Sequence, residues 1–599
     1  MQQKTNMIKT LFQLGPYVYS LIIITYIFLM LTTNFDLIIG RWALDMDEQI
    51  LFDGLKRMFH YDSKEQLFRF IYSGFWPSYG TIYFNLNAIL CLLPKIFFGD
   101  SGIIFAGRMS GVLFLISSFV IFTLTFLKNW ALRCFCLLII INIPKVSYFM
   151  CNPKPEPIQL FFLSLFFYFF KKNNFAFAQP FWILIGVSFG AKISALPFVL
   201  FVPAFAFIYN SNQKSYNHSI EQLPRTIFFI FLGLVISVPS LLPNLIFSFI
   251  LFIFLKHLFN IAKTRVSYLG PLLTLLIIVF NVVFCTILHK YFSLQTGASN
   301  WFISTFLSTQ HPADHGSINF FSWVNYFFNE WLGGSLFYNL LFFIISSIIL
   351  IGSVRHALKN DIFDKKYYNA FILLFSGGIT LIALFMNVNR LWGFYLPLWV
   401  ICITVGLFSI IETNYNRFKL DKTNMNLILS KILPLVFIFA ITGLLNNWLF
   451  NNYSYYKNYS SRTKSEKFKK DHKTYLTIVD FLEKKSLERG YPITVAYDSF
   501  LPIPNKTNKF YTHRFFEPFE KWDVGYEAII LSERIKKRVL NDPDPQTFEY
   551  NQLQIEKVGY KEYVILNDDC RLDHCYKKYK DLENGGEILV LIEGPRINY

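Results

Sequence analysis

The chain has 599 residues, of which 54% are hydrophobic and 19% aromatic, and it carries a formal net charge of +17. Apolar stretches of about 20 residues, long enough to cross a bilayer as helices, recur from Tyr17–Thr33 to Ile432–Phe450. This composition excludes a soluble protein, and it assigns the positive charge to short loops beside anionic headgroups rather than to a nucleic-acid surface.

The basic residues of the connecting loops predict how the chain is threaded. The first apolar stretch lacks a small-residue cleavage site and is followed by further spans, so it is expected to remain as an anchor. Placing the lysine- and arginine-rich loops in the cytoplasm gives about 13 crossings, with Lys128, Lys171, Lys263 and Lys365 inside. Residues 1–450 are therefore predicted to form a polytopic all-α membrane domain.

The first outer loop, residues 34–102, carries the acidic sequence Asp45-Met46-Asp47-Glu48 directly after the first span. Charge beside the membrane is costly, so these carboxylates are interpreted as chemistry rather than as ordinary loop acids. Residues 49–59 and 64–75 alternate apolar and charged side chains at helical spacing, which predicts helices on the membrane surface. Residues 83–98 are expected to form a re-entrant or surface helix.

A second long outer loop covers residues 292–334 and is rich in tryptophan and histidine. Loops of this length are often functional. The mixture of polar and aromatic residues is typical of a lid over a lipid-linked or sugar substrate, and an aromatic anchoring belt is the alternative interpretation.

The composition becomes polar after residue 450, so residues 451–599 are predicted to form a separate extracytoplasmic domain. Four short apolar runs predict strands, and the segments between them predict helices at 473–488 and 532–541. The predicted strands are Ile493–Tyr497, Ala528–Leu531, Tyr563–Leu566 and Ile588–Ile592. The expected architecture is a small α/β domain, with a local disulfide between Cys570 and Cys575.

Seven charged residues stand at the predicted outer ends of apolar spans, where the threading places them on one face. Carboxylates beside several cations are what a membrane enzyme needs to deprotonate an acceptor hydroxyl while holding a phosphate leaving group. A lone arginine at such a position is more often a side chain that snorkels to the headgroups. The seven residues are Asp47, Glu48, Arg108, Lys154, Glu156, Lys192 and Arg390.

These residues lie in short motifs that occur in the same order in a known family. The motifs are Asp47-Glu48, Tyr83-Phe84, Gly107-Arg108-Met109-Ser110, Asn152–Pro157, Gly190–Ser194, and Arg390 with Tyr395 and Pro397. In order and sidedness the membrane part resembles the polytopic GT-C glycosyltransferases, in particular the lipid-carrier-dependent branch of lipid A aminoarabinose transferases and protein O-mannosyltransferases. Residues that follow the acidic pair depart from the family, because Gln49 and Ile50 replace its basic and tyrosine positions.

The resemblance implies transfer of a sugar from a polyprenyl-phosphate donor to a hydroxyl of a glycolipid, polysaccharide or protein, with inversion. It implies that Asp47 is the catalytic base, with Asp45 as the alternative, and that Glu156 is a second acid that shapes the site. Lys192, Arg108 or Arg390 would bind the carrier phosphate. The remaining residues expected to bind substrate are Glu48, Tyr83, Lys154 and Tyr395.

Two other functions compete with this interpretation. A transporter or flippase for lipid-linked saccharides would also place charges among spans, but no internal duplication of the sequence supports it. An envelope polysaccharide ligase or polymerase relies more on loop arginines. The sequence identifies no metal site and no cofactor. Whether the reaction uses a divalent cation is left open by the sequence.

The expected location is a multi-pass protein of the bacterial inner membrane, with the site facing outward. Sequons beginning at Asn452, Asn458 and Asn505 keep an endoplasmic reticulum membrane as the alternative. The sugar, the acceptor and the organism are not specified by the sequence.

Overall fold

The protein is represented by a computed structural model. It describes most of residues 2–38 and 61–239, the helix at 396–418, parts of 51–59, 340–374, 442–445 and 484–490, and six strands between 493 and 592. The chain divides into two compact units, one formed by residues 1–34, 61–96 and 105–457 and the other by residues 35–60, 97–104 and 458–599. The boundary at residue 450 that the sequence suggests stays a prediction.

The described helices are almost all apolar. They are α1 (Gln2–Ile38), α2 (Lys64–Ser73), α3 (Thr81–Phe126), α4 (Trp130–Asn142), α5 (Pro155–Lys172), α6 (Ile183–Ala191), α7 (Leu196–Gln213), α8 (Tyr216–Ser237) and α9 (Leu396–Phe418), with a 3₁₀ turn at Pro180–Trp182. Among the described residues, three stretches are long and apolar enough to cross a membrane, namely Leu14–Thr32, Thr81–Gly99 and Gly102–Phe126. The chain is a helical membrane protein, and the number of about 13 crossings stays a prediction.

Large apolar side chains on the outside of these helices indicate that lipid surrounds them. On α1, Leu21, Ile24 and Phe28 are each more than 60% exposed. Apolar surface of this extent is rare on soluble monomers, because its exposure to water is unfavourable. The exposed face of α1 is therefore a lipid-facing surface.

Helix α3 is a hairpin of two arms rather than one straight rod. The Ser110 hydroxyl donates to the Asn87 side-chain oxygen, although 23 helical residues would separate them by about 34 Å along a straight axis. The chain reverses at Gly99, whose φ of 62° and ψ of −144° fall where only glycine is comfortable. The first arm runs from Gly80 to Gly99, and the second arm returns antiparallel to it from Gly99 to Phe126. The sequence predicts a re-entrant or surface helix over residues 83–98, and at 19 residues this arm is also long enough to cross a membrane.

Helices α6 and α8 approach each other closely through glycines. A Cβ added to Gly186 would overlap the carbonyl of Ile230, and one added to Gly233 would overlap the carbonyl of Ile183. Small residues allow such backbone contact between helices in membranes, where packing rather than the hydrophobic effect drives association. Fully buried aromatic side chains, including Phe166 and Trp182 with ring centroids 5.0 Å apart, fill the adjoining core between α5 and α6.

The turn between α3 and α4 is closed by side chains of α4, α5 and α9. Glu412 of α9 accepts hydrogen bonds from the backbone amides of Lys128, at 3.0 Å, and Asn129, at 2.5 Å. Arg133 Nε donates to the Leu127 carbonyl at 2.8 Å, and Lys171 Nζ donates to the Thr125 carbonyl. These side chains give partners to backbone groups in the turn and at the end of α3, and Glu412 joins α9 to this end of the bundle.

The tail contains a six-stranded mixed sheet. Its strands are β1 (Ile493–Asp498), β2 (Lys506–Thr507), β3 (Phe510–Phe515), β4 (Ala528–Ser532), β5 (Glu562–Leu566) and β6 (Ile588–Ile592), in the spatial order β2-β3-β1-β4-β6-β5. Strand β1 is parallel to β3 and β4, and the other pairs are antiparallel.

The sequence predicted four of these six strands correctly to within one residue at each end. It missed β2 and β3. The described residues of the predicted helix at 473–488, Lys484 and Ser486–Glu488, are helical. The helix predicted at 532–541 starts one residue too early, because Ser532 is the last residue of β4. Residues 533–541, the loop at 292–334 and the pair Cys570 and Cys575 lie outside the described residues, so the α/β character of the tail stays a prediction.

The two helices predicted in the first outer loop are found where the structure describes them. The described residues between 51 and 59 are helical, and α2 covers Lys64–Ser73. Ser63 caps the N-terminus of α2, because the Gln66 amide donates to the Ser63 hydroxyl at 3.1 Å. Their placement on the membrane surface stays a prediction.

Candidate functional site

The candidate site forms where the start of α5 meets the end of α6. Lys154 is the N-cap of α5, Pro155 occupies the first turn, and Glu156 follows it. Lys192 is the C-cap of α6, with an extended backbone at φ −158° and ψ 138°. A carboxylate at a helix N-terminus and an ammonium at a helix C-terminus are both favoured by the helix dipoles. The two helix ends therefore bring opposite charges to one place.

Glu156 and Lys192 form a buried ion pair. Lys192 Nζ donates to Glu156 Oε1, and the two side chains are only 9% and 3% exposed, in the order lysine and glutamate. The other carboxylate oxygen, Oε2, is buried without a hydrogen-bond partner among the described residues. Taking two charges out of water costs several kcal/mol per ion, as an order of magnitude. A pair retained at that cost at the end of apolar helices marks a candidate functional site.

A third residue of α5, Gln159, ties the two helices together beside the ion pair. Its Nε2 donates to the Lys192 carbonyl at 2.5 Å. The Ser188 hydroxyl of α6 donates back to the Gln159 carbonyl at 2.9 Å. Gln159 is 1% exposed.

The start of α3 approaches the end of α6 through glycines. The Gly80 amide donates to the Ala191 carbonyl at 3.3 Å, and a Cβ on Gly80 would overlap the Gly190 carbonyl. The Thr81 hydroxyl donates to the Ser237 carbonyl at the end of α8, at 2.8 Å. This contact places Tyr83, 1% exposed and in the first turn of α3, beside the Lys192 end of α6.

The second arm of α3 brings Arg108 to the same end of the bundle. A Cβ on Gly111 would lie 3.8 Å from Pro153 Cα, so this arm passes close to the segment that leads into Lys154. Arg108 precedes Gly111 by three residues, which is nearly one helical turn. Arg108 is 1% exposed, and Lys154 is 2% exposed. Three cations and one carboxylate thus lie buried at this end within the described part of the chain.

Of the ten residues that the sequence proposed for the site, the structure pairs Glu156 with Lys192 and buries three more, Tyr83, Arg108 and Lys154, at the same end of the bundle. The other five, Asp45, Asp47, Glu48, Arg390 and Tyr395, lie outside the described residues, and their roles stay predictions. In the described part of the chain, no group of three or more histidine, cysteine, aspartate or glutamate side chains could hold a metal ion.

Sequence reasoning missed Gln159 and the glycine contacts. A single glutamine in an apolar helix carries no periodic signal, although its position three residues after Glu156 puts both on one helix face. The close backbone contact that Gly80 and Gly190 allow becomes visible only once the two helix ends are known to meet.

A small cavity lies away from this site, beyond the other end of α5. Its volume is about 100 Å³, and its lining consists of Ala176, Phe177, Gln179, Asn210, His218 and Gln222. Because Lys172 ends α5 and Glu156 begins it, about 24 Å of helix separates the cavity from the ion pair.

Comparison with known proteins finds similarity among solved structures only. No protein-family model and no curated protein matches this chain. Among solved structures, the chain is similar to the crystal structure of the Archaeoglobus fulgidus oligosaccharyltransferase in the apo form, with a TM-score of 0.45 and 13% sequence identity. The match covers 87% of this chain and 65% of the archaeal chain, so this protein spans less than two thirds of that enzyme. The activity and the substrates of the archaeal enzyme are those of that protein.

Proposed function

We propose that this chain is an integral membrane glycosyltransferase that transfers a sugar from a polyprenyl-phosphate donor to an acceptor hydroxyl. The observation that carries the proposal is the buried Glu156–Lys192 ion pair, with Arg108 and Lys154 at the same end of an apolar bundle. Such a cluster matches a substrate whose tail is hydrocarbon and whose head is a phosphate. The tail stays in lipid while the head reaches the site.

The cations have a defined task in this reaction. As the bond between the anomeric carbon and the phosphate oxygen breaks, negative charge grows on the departing polyprenyl phosphate. Lys192 and Arg108, together with Arg390, stabilise that charge, and a low-dielectric site makes each attraction stronger than it is in water. Glu156 holds the Lys192 ammonium in place.

The acceptor is activated on the other side of the anomeric carbon. Asp47 takes the proton of the acceptor hydroxyl while the acceptor oxygen forms its bond to carbon, so that the configuration inverts. The products are the glycoside and polyprenyl phosphate, and the proton passes from Asp47 to water. Asp45, Glu48, Tyr83, Lys154 and Tyr395 bind the two substrates around this line of attack. Residues 292–334 cover them as a lid.

The charges of α5 support an outward-facing site. Glu156 lies in its first turn, and Lys171 and Lys172 lie in its last turn. Basic residues mark the cytoplasmic ends of spans, so the Glu156 end belongs on the outer side, in our proposal that of the bacterial inner membrane. Labelling with an impermeant thiol reagent tests this. A cysteine in place of Lys172 should react only after permeabilisation, and one placed after residue 451 should react without it.

The decisive experiment for the function follows the donor. Purified full-length protein in detergent is supplied with a polyprenyl-phosphate sugar and a mixture of candidate acceptors, and release of sugar-free polyprenyl phosphate is measured. Release that depends on an acceptor supports transfer. Movement of intact donor across vesicles without any release would contradict transfer and favour a flippase instead.

A further inference from the structure

We infer that Gln159 is a positioning residue for Lys192, fixing the lysine backbone so that its ammonium stands where a donor phosphate binds. The inference rests on the proposed function, because it takes Lys192 as a phosphate-binding residue. Gln159 would contact neither substrate. It would act only through the residue that it holds.

The backbone at Lys192 makes long hydrogen bonds within its own segment. Helix α6 ends at Ala191, so the last carbonyls of the helix have no amide ahead of them in the helical ladder. The Lys192 amide reaches the Ser188 carbonyl only at 3.4 Å, and the Ala195 amide reaches the Lys192 carbonyl at 3.3 Å. Both contacts are longer than a typical amide hydrogen bond of about 2.9–3.0 Å.

Gln159 supplies the short bond that these contacts lack. Its side-chain amide is 2.5 Å from the Lys192 carbonyl, and its own carbonyl is held by Ser188 from the preceding turn of α6. Glu156, about one turn before Gln159 on α5, accepts a hydrogen bond from the ammonium of the same lysine. Helix α5 therefore holds Lys192 at both ends, by its carbonyl and by its charge.

Loss of one of these two contacts has a functional consequence. A lysine side chain has four rotatable bonds, so a carboxylate contact alone leaves several ammonium positions accessible when the backbone shifts. A displacement of about 1 Å at a site can cost about 100-fold in rate. For a single charge among several, we expect about a 10-fold loss of affinity for the phosphate.

The test measures binding of a sugar-free polyprenyl monophosphate to the full-length protein in detergent, with the matching polyprenol as the uncharged probe. Gln159→Met removes the amide at similar volume, and Gln159→Asn keeps the amide one carbon too short. Each is made in the wild type and in the neutral-pair background Glu156→Gln with Lys192→Met. Ser164→Ala is the matched control, since Ser164 is a buried residue of α5 whose hydroxyl donates to the Phe161 carbonyl of its own helix.

We expect both Gln159 variants to weaken monophosphate binding about 10-fold in the wild type, to leave polyprenol binding and Ser164→Ala unchanged, and to add no loss in the neutral-pair background. An equal loss in both backgrounds, an equal loss of polyprenol, or failure of both variants to fold would overturn the inference, because Gln159 would then be structural. If the neutral pair binds monophosphate as the wild type does, the proposed role of Lys192 in phosphate binding fails, and the inference about Gln159 fails with it. If only the Gln159 variants behave as wild type, the inference alone fails.

Discussion

Removal of the Lys192 charge should destabilise the protein, and removal of both charges of the pair should not. In Lys192→Met, the Glu156 carboxylate stays buried, on a side chain that is 3% exposed, and loses the ammonium that compensates it. Breaking a buried pair in this way costs about 3–5 kcal/mol, whereas replacing both ions by neutral groups of similar volume is often neutral. We therefore expect Lys192→Met to lower the free energy of unfolding by about 3–5 kcal/mol. The double variant with Glu156→Gln should recover to within about 1 kcal/mol of the wild type.

The recovery separates stability from function. Unfolding by sodium dodecyl sulfate gives the stability of each variant, and monophosphate binding gives its function. Lys172→Met is the control, because Lys172 is an exposed lysine at the other end of α5 and its loss should cost less than about 1 kcal/mol. The double variant should be stable and still bind monophosphate weakly. Wild-type stability of Lys192→Met would refute the buried pair, and full binding by the double variant would reduce Lys192 to a structural residue.

Three further predictions test the catalytic base, the glycine contact between α6 and α8, and the turn between α3 and α4. Asp47→Asn should abolish transfer and keep donor binding, since it removes a base at nearly constant volume; activity lost instead in Asp45→Asn would show that the other acid is the base. Gly233→Ala should lower the free energy of unfolding by about 2–3 kcal/mol, because its Cβ would overlap a carbonyl of α6. Gly111→Ala, whose Cβ meets its nearest neighbour only at 3.8 Å, should be tolerated, and equal stability of the two would contradict the close contact. Glu412→Gln should cost about 1–3 kcal/mol, because two backbone amides at the start of α4 lose a charged acceptor; an unchanged unfolding curve would be evidence against that contact.

The sequence predicted much of the tail sheet because the signal for a strand is local. Runs such as Ile588–Ile592 combine β-branched and apolar residues between polar segments, and the structure has strands there. The sequence did not predict β2 and β3. Strand β2, Lys506–Thr507, is only two residues long, and β3, Phe510–Phe515, carries polar residues. Their place in the sheet depends on pairing with β1, which is not written in either segment alone.

The charged residues of the site show the same division. Glu156 and Lys192 could be selected from the sequence, since a charge at the edge of an apolar run is costly wherever it occurs. Their pairing across 36 residues could not be selected, because many cations would satisfy one carboxylate equally well. Gln159 gave no signal, since its importance comes from a hydrogen bond to a carbonyl at the end of another helix.

By itself the sequence determined that the protein is a helical membrane protein, because hydropathy is a property of each segment in its solvent and does not depend on the neighbouring helices. It also identified charged residues that stand at the ends of apolar spans, where a charge is costly. Only the tertiary structure decided that α3 reverses at Gly99, that glycines bring α3, α6 and α8 into backbone contact, and that Glu156, Gln159 and Lys192 meet. These contacts join segments far apart in the chain, and their geometry is fixed by packing at the point where the helices touch, which no single segment encodes.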